Sequence, residues 1–461
     1  LMKFINYLCL MLLVIAAGAC DFEDYNVDPT SLSKDQVTVD LILPKAQVQS
    51  VYNLGATAGR YAGIWMQYFE GVEAQQNALT NYVLQDTDVN NTWSAQLYTG
   101  AMRDCITILE VADSEENPSS HYSAIAKILL AQNLGFATQL WGDIPYTEAF
   151  QGVDNLNPAF DSQEQIYATI QTLLEEAIVQ LSAAPTGRPV GADDLIFGGN
   201  ADNWISTARA LSARYYLQTV KRNSGAAQSA LNRINEGAIT SVATQPDFNF
   251  AESVNGANPI FLFENDRPAT LQVDPTFVDV VMDSDPRQAL YADAGDLNGF
   301  AGDDLYWGRE ESPLPLISYA EQKFIEAEVL ILTGGSIADA ATALEEAILA
   351  NMEQVGANAT AAATYATANS NLAAEANPLD KLLTEKYKAL YVQGMVEIWS
   401  DFRRTGFPSI ITPQPGAAVS VVPRRLLYPQ NEKQANAEAV QAAVSNQGGD
   451  AIDVHLWVNS N

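Results

Sequence analysis

The chain contains few cysteines and few histidines, and these shortages exclude several kinds of site. Its 461 residues include three cysteines, of which Cys9 and Cys20 lie in the first 20 residues. Cys105 is then left without a partner, so no intrachain disulfide is expected beyond this segment. The two histidines, His121 and His455, form no His-x-x-x-His pattern, and no Cys-x-x-Cys motif is present. A transition-metal site is therefore not predicted.

Basic residues are also scarce. Lys and Arg total 24 against 56 Asp and Glu, which gives a formal net charge of −32. A surface this acidic repels phosphate backbones and excludes nucleic acid as a partner. The sequence has no Gly-x-Ser-x-Gly elbow and no Gly-Lys-Ser/Thr phosphate loop. A glycoside hydrolase needs only two carboxylates, and nothing in the sequence singles out such a pair. We therefore predict that the chain is not an enzyme, with a glycoside hydrolase as the alternative.

An apolar segment at the N-terminus is too short to cross a membrane. It runs from Phe4 to Ile15 behind Lys3 and is interrupted only by Asn6, whereas a spanning helix needs about 20 apolar residues. The residues Ala-Ala-Gly-Ala and then Cys20 follow it. This pattern predicts a secretory signal peptide over residues 1–19, and it resembles a bacterial lipobox with lipidation at Cys20. An ordinary signal peptide with an incidental cysteine is the alternative.

Helical periodicity dominates the rest of the chain and predicts a mostly α fold. The clearest apolar stripe runs from Asp161 to Leu181, where Asp161 is the predicted cap. Asp202 is a second predicted cap, and Asn377-Pro378 marks another helix start. We expect residues 20–34 to form a lipidated N-terminus and tether, and residues 35–461 to form one domain. Long irregular segments are predicted between the helices, over residues 71–87, 185–200, 245–312 and 408–434.

Seven motifs follow one another in the order found in the SusD/RagB family. They are Asn26-Val27-Asp28-Pro29, Leu140-Trp141-Gly142-Asp143-Ile144-Pro145-Tyr146, Asn203-Trp204 with Arg214, Asp285-Pro286-Arg287, Tyr319-Ala320-Glu321 with Glu328, Glu385-Lys386-Tyr387 with Trp399, Asp401, Arg403 and Arg404, and Arg425-Leu426-Leu427-Tyr428-Pro429. Together with the lipobox that precedes them, these motifs make nearly the whole chain resemble this family. We interpret most of these residues as structural, because a charged side chain inside a fold must be paired.

The resemblance implies a mostly helical fold, with tetratricopeptide-like helix pairs on one side and irregular loops forming a ligand-binding face on the other. It also implies an outer-membrane, lipid-anchored protein that faces the cell exterior. Such a protein captures a nutrient and passes it to a SusC-like TonB-dependent transporter, over which it acts as a hinged lid. A carbohydrate is the expected ligand, and a peptide is the alternative because the family includes peptide binders.

Binding a sugar without transforming it requires flat aromatic faces together with polar side chains for the hydroxyl groups. Aromatic residues on loops are therefore better candidates than those within helical stripes such as Trp204. Two clusters meet this condition, and we predict that they converge on one pocket. Trp65, Tyr68, Gln75 and Asn77 form the first, and Arg267, Tyr306 and Trp307 form the second. We expect Trp307 to be exposed, so that its loss would affect binding and not stability.

No cofactor is predicted, although two segments carry oxygen ligands suited to calcium. Residues 86–90 begin like a calcium loop, but Asn91 stands where a glycine is needed. Asp293, Asp296 and Asn298 form the second group. Neither segment contains a complete calcium-binding pattern.

Overall fold

The computed structural model describes residues 37–114, 118–253, 256–293, 295–297, 302 and 304–460. The predicted signal peptide, the lipidation site Cys20 and the tether up to residue 34 lie outside these ranges. Within them, no helix combines the length and the apolar character that a membrane span requires.

Helices make up most of the described chain. They are α1 (Val39–Gly55), α2 (Thr57–Trp65), α3 (Ala74–Thr80), α4 (Arg103–Ala112), α5 (Ser120–Trp141), α6 (Gln163–Ser182), α7 (Ala201–Gln218), α8 (Ala226–Asn235), α9 (Pro259–Asp266), α10 (Gln288–Tyr291), α11 (Tyr319–Leu332), α12 (Ile337–Gln354), α13 (Ala359–Asn369), α14 (Pro378–Ala389), α15 (Met395–Thr405), α16 (Gln430–Ala435) and α17 (Ala437–Gln447). The predicted mostly α fold class is confirmed.

Strands are few and short. They are β1 (Phe69–Gly71), β2 (Asp247–Phe248), β3 (Leu271–Val273) and β4 (Leu314–Pro315). β1 pairs antiparallel with β3, and β2 pairs antiparallel with β4. Two π-helical segments (Thr92–Met102 and Phe277–Val281) and short 3₁₀ turns, among them Asp86–Val89 and Tyr306–Gly308, complete the regular structure. The segment 245–312, which was predicted to be irregular, therefore contains several short helices and strands.

Side-chain caps begin several helices, and two of the predicted caps are wrong by one or two residues. Ser162, and not Asp161, accepts from Gln165 N at the start of α6. Asn200, and not Asp202, accepts from Asn203 N at the start of α7. Each cap side chain satisfies an amide that has no partner within the helix.

Consecutive helices pack against each other through most of the fold. α5 packs on α6, α6 on α7 and α7 on α8, and in the C-terminal half α11 packs on α12 and α12 on α13. Helix α11 also contacts α8, which joins the two groups. The large core includes Trp65, Trp141, Trp204 and Trp399, while a smaller core lies under α11–α14 around Phe324.

Buried ion pairs connect helices that are distant in sequence. Arg214 on α7 donates to Glu321 on α11 through Nε (2.7 Å) and Nη2 (2.6 Å). Arg404 on α15 contacts Glu328 on α11 at 2.5 Å. Each of these residues belongs to a sequence motif interpreted as structural, and each is almost fully buried. The motifs thus fix the helix arrangement, because an unpaired internal charge would destabilise the fold.

The segment after α5 makes a sharp turn that its sequence determines. Gly142 ends α5 at φ +87°, and a Cβ there would lie 1.9 Å from Gln447 Oε1. Only glycine combines this backbone angle with so close an approach. Asp161 then accepts from the amides of Tyr146 and Thr147 at 2.8 and 2.9 Å. This loop contact explains why Asp161 does not cap α6.

Candidate ligand-binding cleft

The structure corrects the predicted placement of Trp65 and Tyr68. Trp65 lies on α2, is fully buried, and donates from Nε1 to Leu79 O at 3.2 Å. Tyr68 is also fully buried and stacks on Tyr387, with ring centroids 4.4 Å apart. Neither ring presents a face to a ligand, because both are covered by helices from the C-terminal half.

The predicted exposure of Trp307 is also wrong. Trp307 lies in a 3₁₀ turn, is only 2% exposed, and belongs to the large core. Tyr306 is partly buried and packs edge-on against it, with ring centroids 4.8 Å apart. Arg309 covers Tyr306 at 5.0 Å from the ring centroid. The indole therefore stabilises the fold, and Tyr306 is the more accessible ring of the two.

None of the four aromatic residues predicted to converge on one pocket lines the cleft between α2, α3 and α9, but one polar residue from each of the two clusters does. Pairing of β1 with β3 places the chain around residue 70 beside the chain around residue 272. As a result, Gln75 on α3 and Arg267 at the end of α9 line this cleft of about 460 Å³. Asn77 is exposed, lies outside the cleft lining, and donates to Gly71 O at 3.3 Å.

Most of the cleft wall is polar, and only Gln75 and Arg267 of it belong to the predicted site residues. Helices α2, α3 and α9 form it together with the 3₁₀ turn at Asp86–Val89. Besides the predicted pair, its lining includes Arg60, Gln76, Asp88, Thr92, Phe263 and Asp266. The pair Asn258-Pro259 could have predicted the start of α9, since Asn258 caps this helix by accepting from Ile260 N. That helix places Phe263 and Arg267 on one face, four residues apart.

Three buried polar atoms in this cleft lining lack a hydrogen-bond partner among the described residues. They are Arg60 Nε, Gln76 Oε1 and Thr92 Oγ1. Buried polar groups in native proteins are normally satisfied by protein, water or ligand. These three atoms are closed to solvent, whereas Gln75, Thr87, Asn91, Asp266 and Arg267 of the same lining are partly or fully exposed and can contact a polar ligand directly.

The ionic groups of the cleft do not form pairs with one another among the described residues. Asp88 instead accepts from Gln75 Nε2 at 2.9 Å and from Gln85 N at 2.8 Å. The guanidinium of Arg60 lies over the ring of Phe263, 4.0 Å from its centroid. Burial, with a smaller contribution from nearby Arg267, lowers the pKa of Arg60 to about 10.

A second cavity is larger and more aromatic. It encloses about 870 Å³ between the π-helical segment, the loop after α5 and α16. Tyr98 and Phe150 stack in its wall at 5.8 Å, and Trp93 donates from Nε1 to Glu432 at 3.3 Å. Trp93 is only 3% exposed, so little of its face is open to a ligand. No buried side-chain polar atom of this lining lacks a partner among the described residues.

Neither candidate calcium segment forms a recognisable cation site in the described part of the chain. No group of three or more His, Cys, Asp or Glu residues capable of holding a metal is found there. Asp86 forms an ion pair with Lys433 at 3.1 Å, and Asp88 is held by Gln75. Asn298 of the second segment lies outside the described residues.

Glu264, on α9 beside the cleft, gives the protein an expected pH dependence. It is buried, its Oε2 lacks a partner among the described residues, and burial raises its pKa to about 7. The folded state therefore holds this proton more tightly than the unfolded state, and stability falls as pH rises from about 5 to about 8. We expect Glu264→Gln to reduce this loss by about 1–2 kcal/mol in denaturant unfolding. Asp266→Asn, an exposed change on the same helix, is the control, and an unchanged pH profile in Glu264→Gln would refute the assignment.

The sequence and the fold both match known proteins. Residues 30–429 match the SusD-like family model described as "Starch-binding associating with outer membrane". No curated protein matches the chain significantly. Among similar solved structures, a SusD/RagB family protein from Bacteroides thetaiotaomicron is 22% identical with a TM-score of 0.78, covering 92% of this chain and 99% of its own.

Two further structures share this fold. A SusD homolog from Bacteroides uniformis is 19% identical with a TM-score of 0.76, covering 92% of this chain and all of its own (100%). A chitin-binding SusD homolog from Flavobacterium johnsoniae is 20% identical with a TM-score of 0.73, covering 92% of this chain and 98% of its own. Because the family model matches most of the sequence and the fold agrees, the chain belongs to the SusD-like family of nutrient-binding proteins associated with the outer membrane.

Proposed function

We propose that this protein captures a glycan in the cleft between α2, α3 and α9 and passes it to a SusC-like TonB-dependent transporter. The accessible polar side chains that line this one cleft carry the assignment of the site. A sugar hydroxyl can both donate and accept, so one ligand can pair with the amides of Gln75 and Asn91 and with the carboxylate of Asp88. Family membership and the chitin-binding relative support a glycan as ligand.

Three aromatic residues line the cleft, namely Tyr52, Tyr61 and Phe263. Tyr61 and Phe263 are buried, so Tyr52 is the ring most open to the C–H face of a sugar, and the polar residues around it fix the orientation of the ligand. The cleft is therefore a polar site with limited aromatic surface.

A calorimetric titration tests this proposal, with Gln75→Ala as the cleft variant and Asn77→Ala as its matched control on the same helix. Soluble starch, chitin and other oligosaccharides are titrated into the purified protein, with short peptides as a separate arm. We expect Gln75→Ala to weaken glycan binding roughly threefold to tenfold, the effect of losing one hydrogen bond and the support of Asp88. Asn77→Ala should bind as the wild type does. Binding of peptides alone, or equal losses in both variants, would contradict the proposal.

We further propose that the protein binds without transforming its ligand. The carboxylate of Asp88 is held by two hydrogen bonds that orient it as part of the cleft wall. Chromatography of the glycan after prolonged incubation checks this point. Recovery of intact glycan is the expected result, and shortened products would identify a glycoside hydrolase instead.

The proposed location is the outer membrane, with the mature chain anchored through lipid on Cys20 and facing the exterior. Two acyl chains or an equivalent pair of signals are needed for stable anchoring, and a lipobox cysteine supplies such a modification. We expect Cys20→Ser to move the protein from the membrane fraction to the soluble fraction. Protease treatment of intact cells tests the orientation. Wild-type protein found soluble, with an unmodified Cys20, would refute the anchor.

A further inference from the structure

The two arginines of the cleft lack the carboxylate partner that most buried arginines of the fold have, a property shared by Arg403, which donates to backbone carbonyls and stacks on Trp399. Arg214, Arg287 and Arg404 each contact at least one buried carboxylate within 2.7 Å. Arg60 and Arg267 form no ion pair with any residue in the described ranges. Arg60 donates from Nη1 to Gly55 O at 3.5 Å, which is at the outer limit of a hydrogen bond.

The arrangement places two positive charges around one ring. Arg60 lies 4.0 Å and Arg267 lies 5.9 Å from the ring centroid of Phe263. The ring holds each guanidinium by a cation–π contact, which orients the group without neutralising it. Arg60 is partly buried and Arg267 is exposed, so the pair spans the cleft from its wall to its mouth.

Neither arginine of the cleft is paired, although acidic residues are abundant in the chain and present in the cleft. Asp and Glu outnumber Lys and Arg by 56 to 24, and the cleft itself contains Asp88 and Asp266. Asp88 accepts hydrogen bonds from the side chain of Gln75 and from the backbone amide of Gln85. Asp266 is exposed and forms no ion pair with its neighbour Arg267 among the contacts within 4.0 Å. A partly buried cation that lacks an anion is unfavourable, and a bound anion removes this cost.

We propose that the cleft binds a glycan that carries anionic groups, namely uronic acid carboxylates or sulfate esters, through Arg60 and Arg267. The planar guanidinium donates two parallel hydrogen bonds to either group, which gives both affinity and orientation. Gln75 and Asn91, which also line the cleft, then contact the neighbouring hydroxyl groups. This inference rests on the proposed function, because it names the chemical class of the ligand for the same cleft.

The test compares matched acidic and neutral oligosaccharides by calorimetry. Oligogalacturonate is measured beside its methyl ester, and a chondroitin sulfate oligosaccharide beside its desulfated form, which separates carboxylate from sulfate recognition. We expect an acidic probe to bind at least about tenfold more tightly than its neutral partner. Its affinity should fall as salt is raised to roughly 0.5 M, since exposed charges are screened.

Arg267→Gln is the principal variant because Arg267 is exposed and its replacement leaves the core intact. It should weaken the acidic probe about tenfold or more and change the neutral probe little. Arg60→Gln should do the same, provided that its melting temperature matches that of the wild type. Arg222→Gln is the control, since Arg222 is exposed, stacks on Trp457 and does not line the cleft.

The outcomes separate this inference from the proposed function. Neutral glycans that bind as tightly as acidic ones, with no loss in Arg267→Gln, would overturn the anionic ligand and leave the glycan site standing. If no glycan binds, both the anionic ligand and the proposed glycan site are overturned. Binding of peptides through a terminal carboxylate, with no glycan bound, would likewise overturn both and assign the arginines to a peptide ligand.

Discussion

Replacing Arg287 with Met is expected to lower the free energy of unfolding by about 3–5 kcal/mol, because it leaves buried carboxylates without their main cation. Arg287 is fully buried and donates to both oxygens of Asp285, at 2.9 and 2.7 Å. It also reaches Asn351 at 2.8 Å and Glu385 at 3.4 Å. One side chain thus connects the segment before α10 to α12 and α14.

The protonation of Asp285 provides a second readout. Burial alone would raise the pKa of Asp285, but the hydrogen bonds and charge of Arg287 hold it below its usual value. This stabilisation is present above the unfolded pKa, near 4, and is lost as pH falls through the folded value. Part of the wild-type acid sensitivity should therefore be absent from Arg287→Met.

Denaturant unfolding measures the effect, with Arg222→Met as the control. Arg222 is exposed and has no buried ion pair, so its replacement should change stability by less than about 0.5 kcal/mol. A loss below about 1 kcal/mol in Arg287→Met would show that Lys388, 3.7 Å from Asp285, compensates for the missing charge. Arg287 would then not be the main connection between these helices.

Trp307→Ala is expected to lower stability by about 3–5 kcal/mol and to leave glycan affinity within about twofold of the wild type. The indole is buried in the large core, so its removal creates a cavity. It does not line the cleft, so the ligand contacts remain. The sequence alone predicted the reverse, loss of binding with little change in stability.

Two variants control this prediction. Trp457→Ala removes a partly buried indole that stacks with Arg222, so it should cost less. Trp307→Phe keeps part of the buried area and should recover part of the stability. Thermal melts give the stability, and calorimetry well below the transition gives the affinity. If Trp307→Ala loses glycan affinity while its melting temperature is unchanged, Trp307 belongs to the ligand site.

The helices were predictable from sequence because an apolar stripe records which face of a helix is buried. The stripe from Asp161 to Leu181 predicted α6, which spans Gln163–Ser182. The start of α14 was predicted correctly, since Asn377 accepts from Asp380 N ahead of Pro378. The predicted caps Asp161 and Asp202 failed because a neighbouring residue takes each cap position. At the first helix, Asp161 is also engaged by a loop that local sequence does not reveal.

The candidate site was predictable only in part, because aromatic burial depends on partners far along the chain. Trp65 is covered by Trp399, with ring centroids 5.1 Å apart, and Tyr68 by Tyr387. No local pattern around residue 65 shows that α14 and α15 return to this place. Polar residues gave the better signal: Gln75 and Arg267 have no role in a core, and both line the cleft. Arg60 was missed because it lies within α2, among small and aromatic residues.

The central claim is that the cleft of α2, α3 and α9 holds the ligand. A crystal structure of the protein soaked with a glycan that binds in calorimetry tests it directly. The account predicts sugar density in this cleft, with hydrogen bonds to Gln75, Asn91 or Arg267. Density confined to the aromatic cavity beside Trp93 and Tyr98, with an empty cleft, would contradict it.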